Sequence, residues 1–148
     1  MDGGLTLSGS NQFDSIVVQN NGRLSVSSIA TLGNANAAIS LLPTARLSLD
    51  LATNGPTAIT QNLSGSGTVE LTGLGRATLT GSNSGFTGML LVGGSSSGVA
   101  ISGDNQMGSG TLFLSAGGGA LLTGAADYTF QNLIQGTGNL FMDGTGTV

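Results

Sequence analysis

The chain has 148 residues, a net charge of −4 and only 7% charged side chains, enough length for one ordinary domain but far below the ~25% charge of an average globular protein. It holds 27 glycines, 2 prolines and no lysine, histidine, cysteine or tryptophan, which excludes disulfides, zinc sites of thiolate or imidazole, and any catalytic triad built on histidine. Three arginines (Arg23, Arg46, Arg76) and seven acids stand singly; there is no basic stripe for phosphates and no acidic tail, so nucleic acid and anionic membranes are not expected partners.

No apolar run reaches the 18 residues of a membrane helix, so no membrane insertion by this segment is expected. The opening Met1-Asp2-Gly3-Gly4 has neither the basic nor the apolar region of a signal peptide and reads as the start of an excised piece. A cysteine-free chain suits passage across a membrane in the unfolded state.

From the N-terminus onward, short runs alternate apolar and polar residues. Leu5-Thr6-Leu7-Ser8 is the first, followed by 23–27, 46–51, 68–72, 77–80 and 99–102. A period of two sends Leu and Val to one side and Ser, Thr and charge to the other, the pattern of a half-buried strand. Gly, Asn, Ser or Asp bounds nearly every run, and these residues bend a chain at low cost. The stretch 28–42 clusters Ala35, Ala37 and Ala38, but Gly33, Asn34 and Asn36 interrupt it and Pro43 ends it, so a turn, loop or irregular strand is expected there instead of a helix. The glycine- and serine-rich stretch 93–98 reads as a loop between two strands.

The chain also repeats itself. Ser8-Gly9-Ser10-Asn11 with Phe13 returns as Thr80-Gly81-Ser82-Asn83 with Phe86, an offset of 72 (81 − 9). Gln61-Asn62-Leu63, running into Gly65-Ser66-Gly67-Thr68-Val69, returns as Gln131-Asn132-Leu133, running into Gly136-Thr137-Gly138-Asn139-Leu140, an offset of 70 (131 − 61). Unit 1 spans 3–74 and unit 2 spans 75–145 of one continuous segment, 1–148. Tandem units of short strands, with few aromatics to fill a broad core, favour a parallel solenoid over a sandwich. At roughly 20–25 residues per coil, each unit supplies three coils and the chain six or seven. The expectation is an all-β, single-stranded parallel β-helix.

Leu79-Thr80-Gly81-Ser82-Asn83-Ser84-Gly85-Phe86-Thr87-Gly88 resembles the "LTGxNTYTGGT" element of autotransporter-associated β-strand repeats, and Leu7-Ser8-Gly9-Ser10-Asn11-Gln12-Phe13 is a weaker copy. Met107-Gly108-Ser109-Gly110-Thr111-Leu112 is similar to the family's "LGxGxLxL", and Asn62-Leu63-Ser64-Gly65-Ser66-Gly67-Thr68-Val69 to its "LSGxGTV". The resemblance implies a right-handed β-helix within the passenger of a type V secretion protein, at the bacterial outer-membrane surface or released. Its neighbours in the full-length protein would be further passenger coils and a C-terminal translocator barrel. The repeat element has no catalytic residue to carry over.

Chemistry-bearing patterns are few. Gly94-Ser95-Ser96-Ser97-Gly98 matches G-x-S-x-G but has no histidine to serve it. Gly117-Gly118-Gly119 has the glycines of a calcium β-roll without its aspartate. Gly-x-Gly triplets at 65–67, 108–110 and 136–138 read as coil corners. Asn62-Leu63-Ser64 is a formal glycosylation sequon, idle in a bacterial protein. No cofactor or metal is expected, apart from an adventitious calcium at Asp104 or Asp143. Phe113 and Phe141 fall between inward candidates, so alternation points both outward, where they could stack on sugars, contact a protein or cover a loop. Phe13 and Phe86 hold equivalent repeat positions and read as structural.

Two functions follow from different classes. The first is a non-enzymatic stalk or adhesive surface, with self-association or a host-surface protein or glycan as partner. The alternative is a polysaccharide-processing β-helix enzyme, which needs facing carboxylates; convergence of Asp104, Asp127 and Asp143 in one groove is its signature.

Overall fold

A computed structural model describes residues 3–28, 32–51, 56–94, 97–103, 105–124, 127 and 129–145. These residues form strands, turns and loops, with no helix among them. The chain opens with β1 (Gly4–Leu7), β2 (Ser15–Val18) and β3 (Arg23–Val26). Its middle consists of β4 (Ala38–Leu41), β5 (Arg46–Leu51), β6 (Pro56–Ile59), β7 (Asn62–Gly65) and β8 (Thr68–Gly73). It continues through β9 (Arg76–Leu79), β10 (Met89–Val92), β11 (Gly98–Ile101), β12 (Thr111–Leu114), β13 (Gly119–Gly124), β14 (Ile134–Gly136) and β15 (Asn139–Gly144).

No strand pairs with the next strand in sequence. Each pairs in parallel with the strand one turn on, and three sheets result. The first face carries seven strands in the order β1-β3-β5-β8-β10-β12-β14. The second carries β6-β9-β11-β13-β15, and the third β2-β4-β7, which Phe86 extends through a parallel bridge to Gly65. Seven rungs on one face mean six turns, and at ~4.8 Å per rung the stack is about 29 Å tall. The expected parallel solenoid is therefore the observed fold. Asn21-Gly22 turns a corner between β2 and β3 and makes no hairpin, with Asn21 at φ 61° and Gly22 N donating to Gln19 O at 2.8 Å.

Alternation explains the core. On the first face Leu24, Leu47, Val69, Leu90 and Leu112 share one inward row, and Val26, Leu49, Leu71, Val92 and Leu114 share the next. All ten are buried. The second face contributes Ala77, Val99 and Ala120 beside Leu79, Ile101 and Leu122. Like therefore stacks on like, and fully burying each Leu or Val stabilises by about 1.5–3 kcal/mol over exposure. At the two ends this stacking stops. Leu5 occupies the inward row of β1 yet is 58% exposed, while Leu140 and Met142 on β15 are 45% and 62% exposed, because no rung covers them.

The Gly-x-Gly triplets are corners, as their composition implies. At 65–67, the amides of Ser66 and Gly67 both donate to Leu41 O of the turn below, at 3.0 and 3.1 Å. Gly65 has φ +88°, and a Cβ there would overlap the Leu41 carbonyl, so only glycine fits without strain. At 136–138 the amides of Thr137 and Gly138 repeat the arrangement on Leu114 O, at 2.8 and 3.0 Å.

These two matching corners lie on different faces. Gly65 ends a third-face strand and Gly136 ends a first-face strand. Likewise Leu5 lies on the first face and its sequence counterpart Ala77 on the second. The turn is 21.5 residues, (134 − 5)/6 from Leu5 to Ile134, so an offset of 72 spans about three and a third turns in place of the expected three. Unit 2 thus repeats the local structure of unit 1 one face further around the coil.

Candidate functional site

The second face contains a groove of about 480 Å³ whose floor lacks side chains. Five residues stand in one register column: Pro56 opens β6, Arg76 opens β9, Gly98 opens β11, Gly119 opens β13 and Asn139 opens β15. Their successors Ala77, Val99 and Ala120 are buried, so the column faces outward. Two consecutive glycines leave a gap two rungs long between a guanidinium and an amide.

Two side chains lean over that gap. A Cβ at Gly98 would stand 3.7 Å from both Cγ and Nε of Arg76. A Cβ at Gly119 would stand 3.7 Å from Cε2 of Phe141. Phe141 occupies the adjacent outward column, in register with Leu121, and is 57% exposed. Leu74, exposed at the corner between β8 and β9, forms part of the rim. Arg76 is exposed, and no acid pairs with it among the described residues. Arg46 contrasts with it: its Nη1 lies 3.1 Å from Oε2 of Glu70, which also accepts from Ser48 Oγ at 2.8 Å.

The two aromatics singled out in the sequence do not share a site. Phe113 lies on the first face between Leu91 and Gln135 in register and is half-buried. Phe141 lies on the second face. Both alternate with inward residues, and Phe141 lines the second-face groove. Phe86 is buried, its ring 3.0 Å from where a Cβ on Gly110 would stand; Phe13 is half-buried near the open N-terminal end.

Of the three acids that would mark a polysaccharide-cleaving enzyme, Asp104 lies outside the described residues. Asp127 is an exposed loop residue after β13, and Asp143 is exposed on β15 in register with Thr123. Among the described residues no three His, Cys, Asp or Glu side chains form a metal-binding group. Ser95 and Ser96 of the G-x-S-x-G match also lie outside the described residues, and Ser97 is buried with its Oγ donating to Gly93 O at 2.6 Å. Gly117 and Gly118 form the corner before β13.

A different buried polar residue organises the corner that leads to the third face. Asn83 is fully buried; its Oδ1 accepts from Leu63 N at 2.7 Å and its Nδ2 donates to Gln106 O at 2.7 Å. It ties three successive turns together. Nearby Gln61 is buried with Nε2 donating to Asn34 O at 3.4 Å and Oε1 unpartnered among the described residues.

The groove was readable in principle. Arg76, Gly98, Gly119 and Asn139 follow at spacings of 22, 21 and 20, and each begins a run whose second and fourth residues are apolar. Aligning the chain on a single turn exposes this column, whereas aligning it on the 72-residue repeat hides it. Set against protein-family models, curated proteins and solved structures, the chain finds no match in any of the three comparisons.

Proposed function

We propose that this solenoid is a structural and adhesive segment of a secreted bacterial autotransporter passenger, presenting its faces outside the cell and performing no catalysis. The observation that carries this reading is the parallel stack built from two ordered copies of the repeat elements, with the Gly-x-Gly corners in the same backbone arrangement in both. A parallel coil also suits vectorial export. Each turn pairs only with its neighbours, so structure can grow rung by rung as chain emerges, and the lack of cysteine removes the crosslinks that would block a narrow pore. In the excised segment, whose end rungs are left uncovered, self-association belongs to the same reading.

The test is to read the coding sequence on both sides of this segment and to assay the intact product in its own cell. Further repeats, a signal peptide upstream, a C-terminal barrel downstream and protease-accessible protein on intact cells are expected. A product lacking both signal and barrel, or one confined to the cytoplasm, refutes the proposal.

A further inference from the structure

We infer that the groove on the second face is a binding site for a short acidic oligosaccharide, one bearing carboxylate or sulfate groups. The inference does not rest on the passenger reading, because the groove belongs to this chain however the chain is delivered.

Arg76 supplies the charge. It is exposed and without an acidic partner among the described residues, in a chain of net charge −4. An unpaired guanidinium presents a planar fork that matches a carboxylate or sulfate bidentately, and such charge-assisted bonds are the strong ones. Phe141 supplies a flat apolar surface. Its ring is 57% exposed and leans over Gly119, the geometry in which an aromatic face stacks on the C–H face of a sugar ring. Asn139 at the far end carries an amide able to donate to and accept from hydroxyls.

The two glycines complete the site by removing side chains where a ligand must lie. Neither has a backbone angle that requires glycine, and a Cβ at either meets only ordinary contacts of 3.6–3.7 Å. Local geometry therefore does not demand glycine here, in contrast to the corners. From Arg76 to Asn139 is three rungs, about 14 Å, a span suited to a short run of sugar rings. A peptide fits the site less well. Extended peptides bind sheets through an unpaired strand edge, but β9, β11 and β13 are each paired on both sides. From Arg76 to Gly119 the groove offers a surface and a charge with no free ladder, and the one open edge, that of β15, lies at its far end. Asp143, the acid on β15, lies two residues beyond Phe141 and outside the groove lining.

The experiment is calorimetric titration of the whole 148-residue chain at low ionic strength. The probes are a short oligogalacturonate, its methyl ester, and a poly-glutamate peptide of matched charge. The oligogalacturonate should bind saturably, and the uncharged ester at least about tenfold more weakly, as loss of one charge-assisted contact implies. Arg76→Ala and Phe141→Ala should each weaken binding about tenfold or more. Gly98→Leu should abolish it by filling the floor, with its melting curve unchanged from the wild type; should that variant melt early, the two surface variants decide. The assignment is overturned if the oligogalacturonate shows no saturable binding, if a normally folded Gly98→Leu binds it as well as the wild type, or if poly-glutamate binds as tightly as the sugar.

Discussion

Asn83 and Asn11 occupy the same place in the two sequence repeats but different places in the coil, and their replacement by alanine should have very different costs. Asn83 is fully buried and bonds to turns on both sides, at 2.7 Å to Leu63 N and 2.7 Å to Gln106 O. Asn83→Ala strands the buried Leu63 amide and the part-buried Gln106 carbonyl. An unsatisfied buried group costs about 1–3 kcal/mol; counting the amide in full and the carbonyl at the low end gives about 2–4 kcal/mol. For a chain of this size each kcal/mol moves the melting temperature by about 2–4 °C. Asn11 is half-exposed near the N-terminal end of the stack, where water can replace a lost partner, so Asn11→Ala should cost less than Asn83→Ala. Urea unfolding followed by far-UV circular dichroism measures both, and hydrogen exchange at Leu63 adds a local readout. Its amide should lose protection in Asn83→Ala alone. Because a solenoid is held together rung by rung, weakening this central tie should also broaden the transition. Equal costs at the two positions, or a Leu63 amide as protected in the variant as in the wild type, would refute the reasoning.

Gln61→Met should stabilise the fold by up to about 1 kcal/mol, since it removes the unpartnered buried Oε1 and gives up only the long bond to Asn34 O; a fall in the urea midpoint would show that Oε1 is satisfied in solution. The exposed inward rows at both ends and their unpaired strand edges should drive end-to-end association. Sedimentation should show concentration-dependent oligomers that the pair Leu140→Lys and Met142→Lys suppresses, whereas a clean monomer at high concentration in the wild type removes the basis for self-association.

Much of the fold was legible in the residues themselves. The run 46–51 alternates Arg, Leu, Ser, Leu, Asp, Leu and is β5 residue for residue; the runs starting at Leu5, Ala77 and Val99 each fall within one position of β1, β9 and β11. Alternation and glycine corners are local properties, so they survive in the linear order. Strands of the same length escaped where the alternation is weak: β2 is Ser-Ile-Val-Val and β6 contains proline. The repeat correctly signalled a solenoid, and Phe141 was correctly placed on an outward row.

Which face a strand joins is a different kind of fact. It depends on the accumulated length of every corner before it, because hydrogen bonding is made one turn away, at 19 to 23 residues (24 − 5 and 47 − 24 in the first-face register). Small differences between corners therefore sum, and a 72-residue repeat lands one face out of step with itself. That displacement puts Asn11 after a first-face strand and Asn83 after a second-face strand. The same one-turn register brings Arg76, Gly98, Gly119 and Asn139 into one column with Phe141 beside it. The chain by itself determined that strands would form, that they would stack, and which side of each would be buried. Only the closed coil decided which distant residues became neighbours, since pairing across turns is long-range and no short window of sequence encodes it.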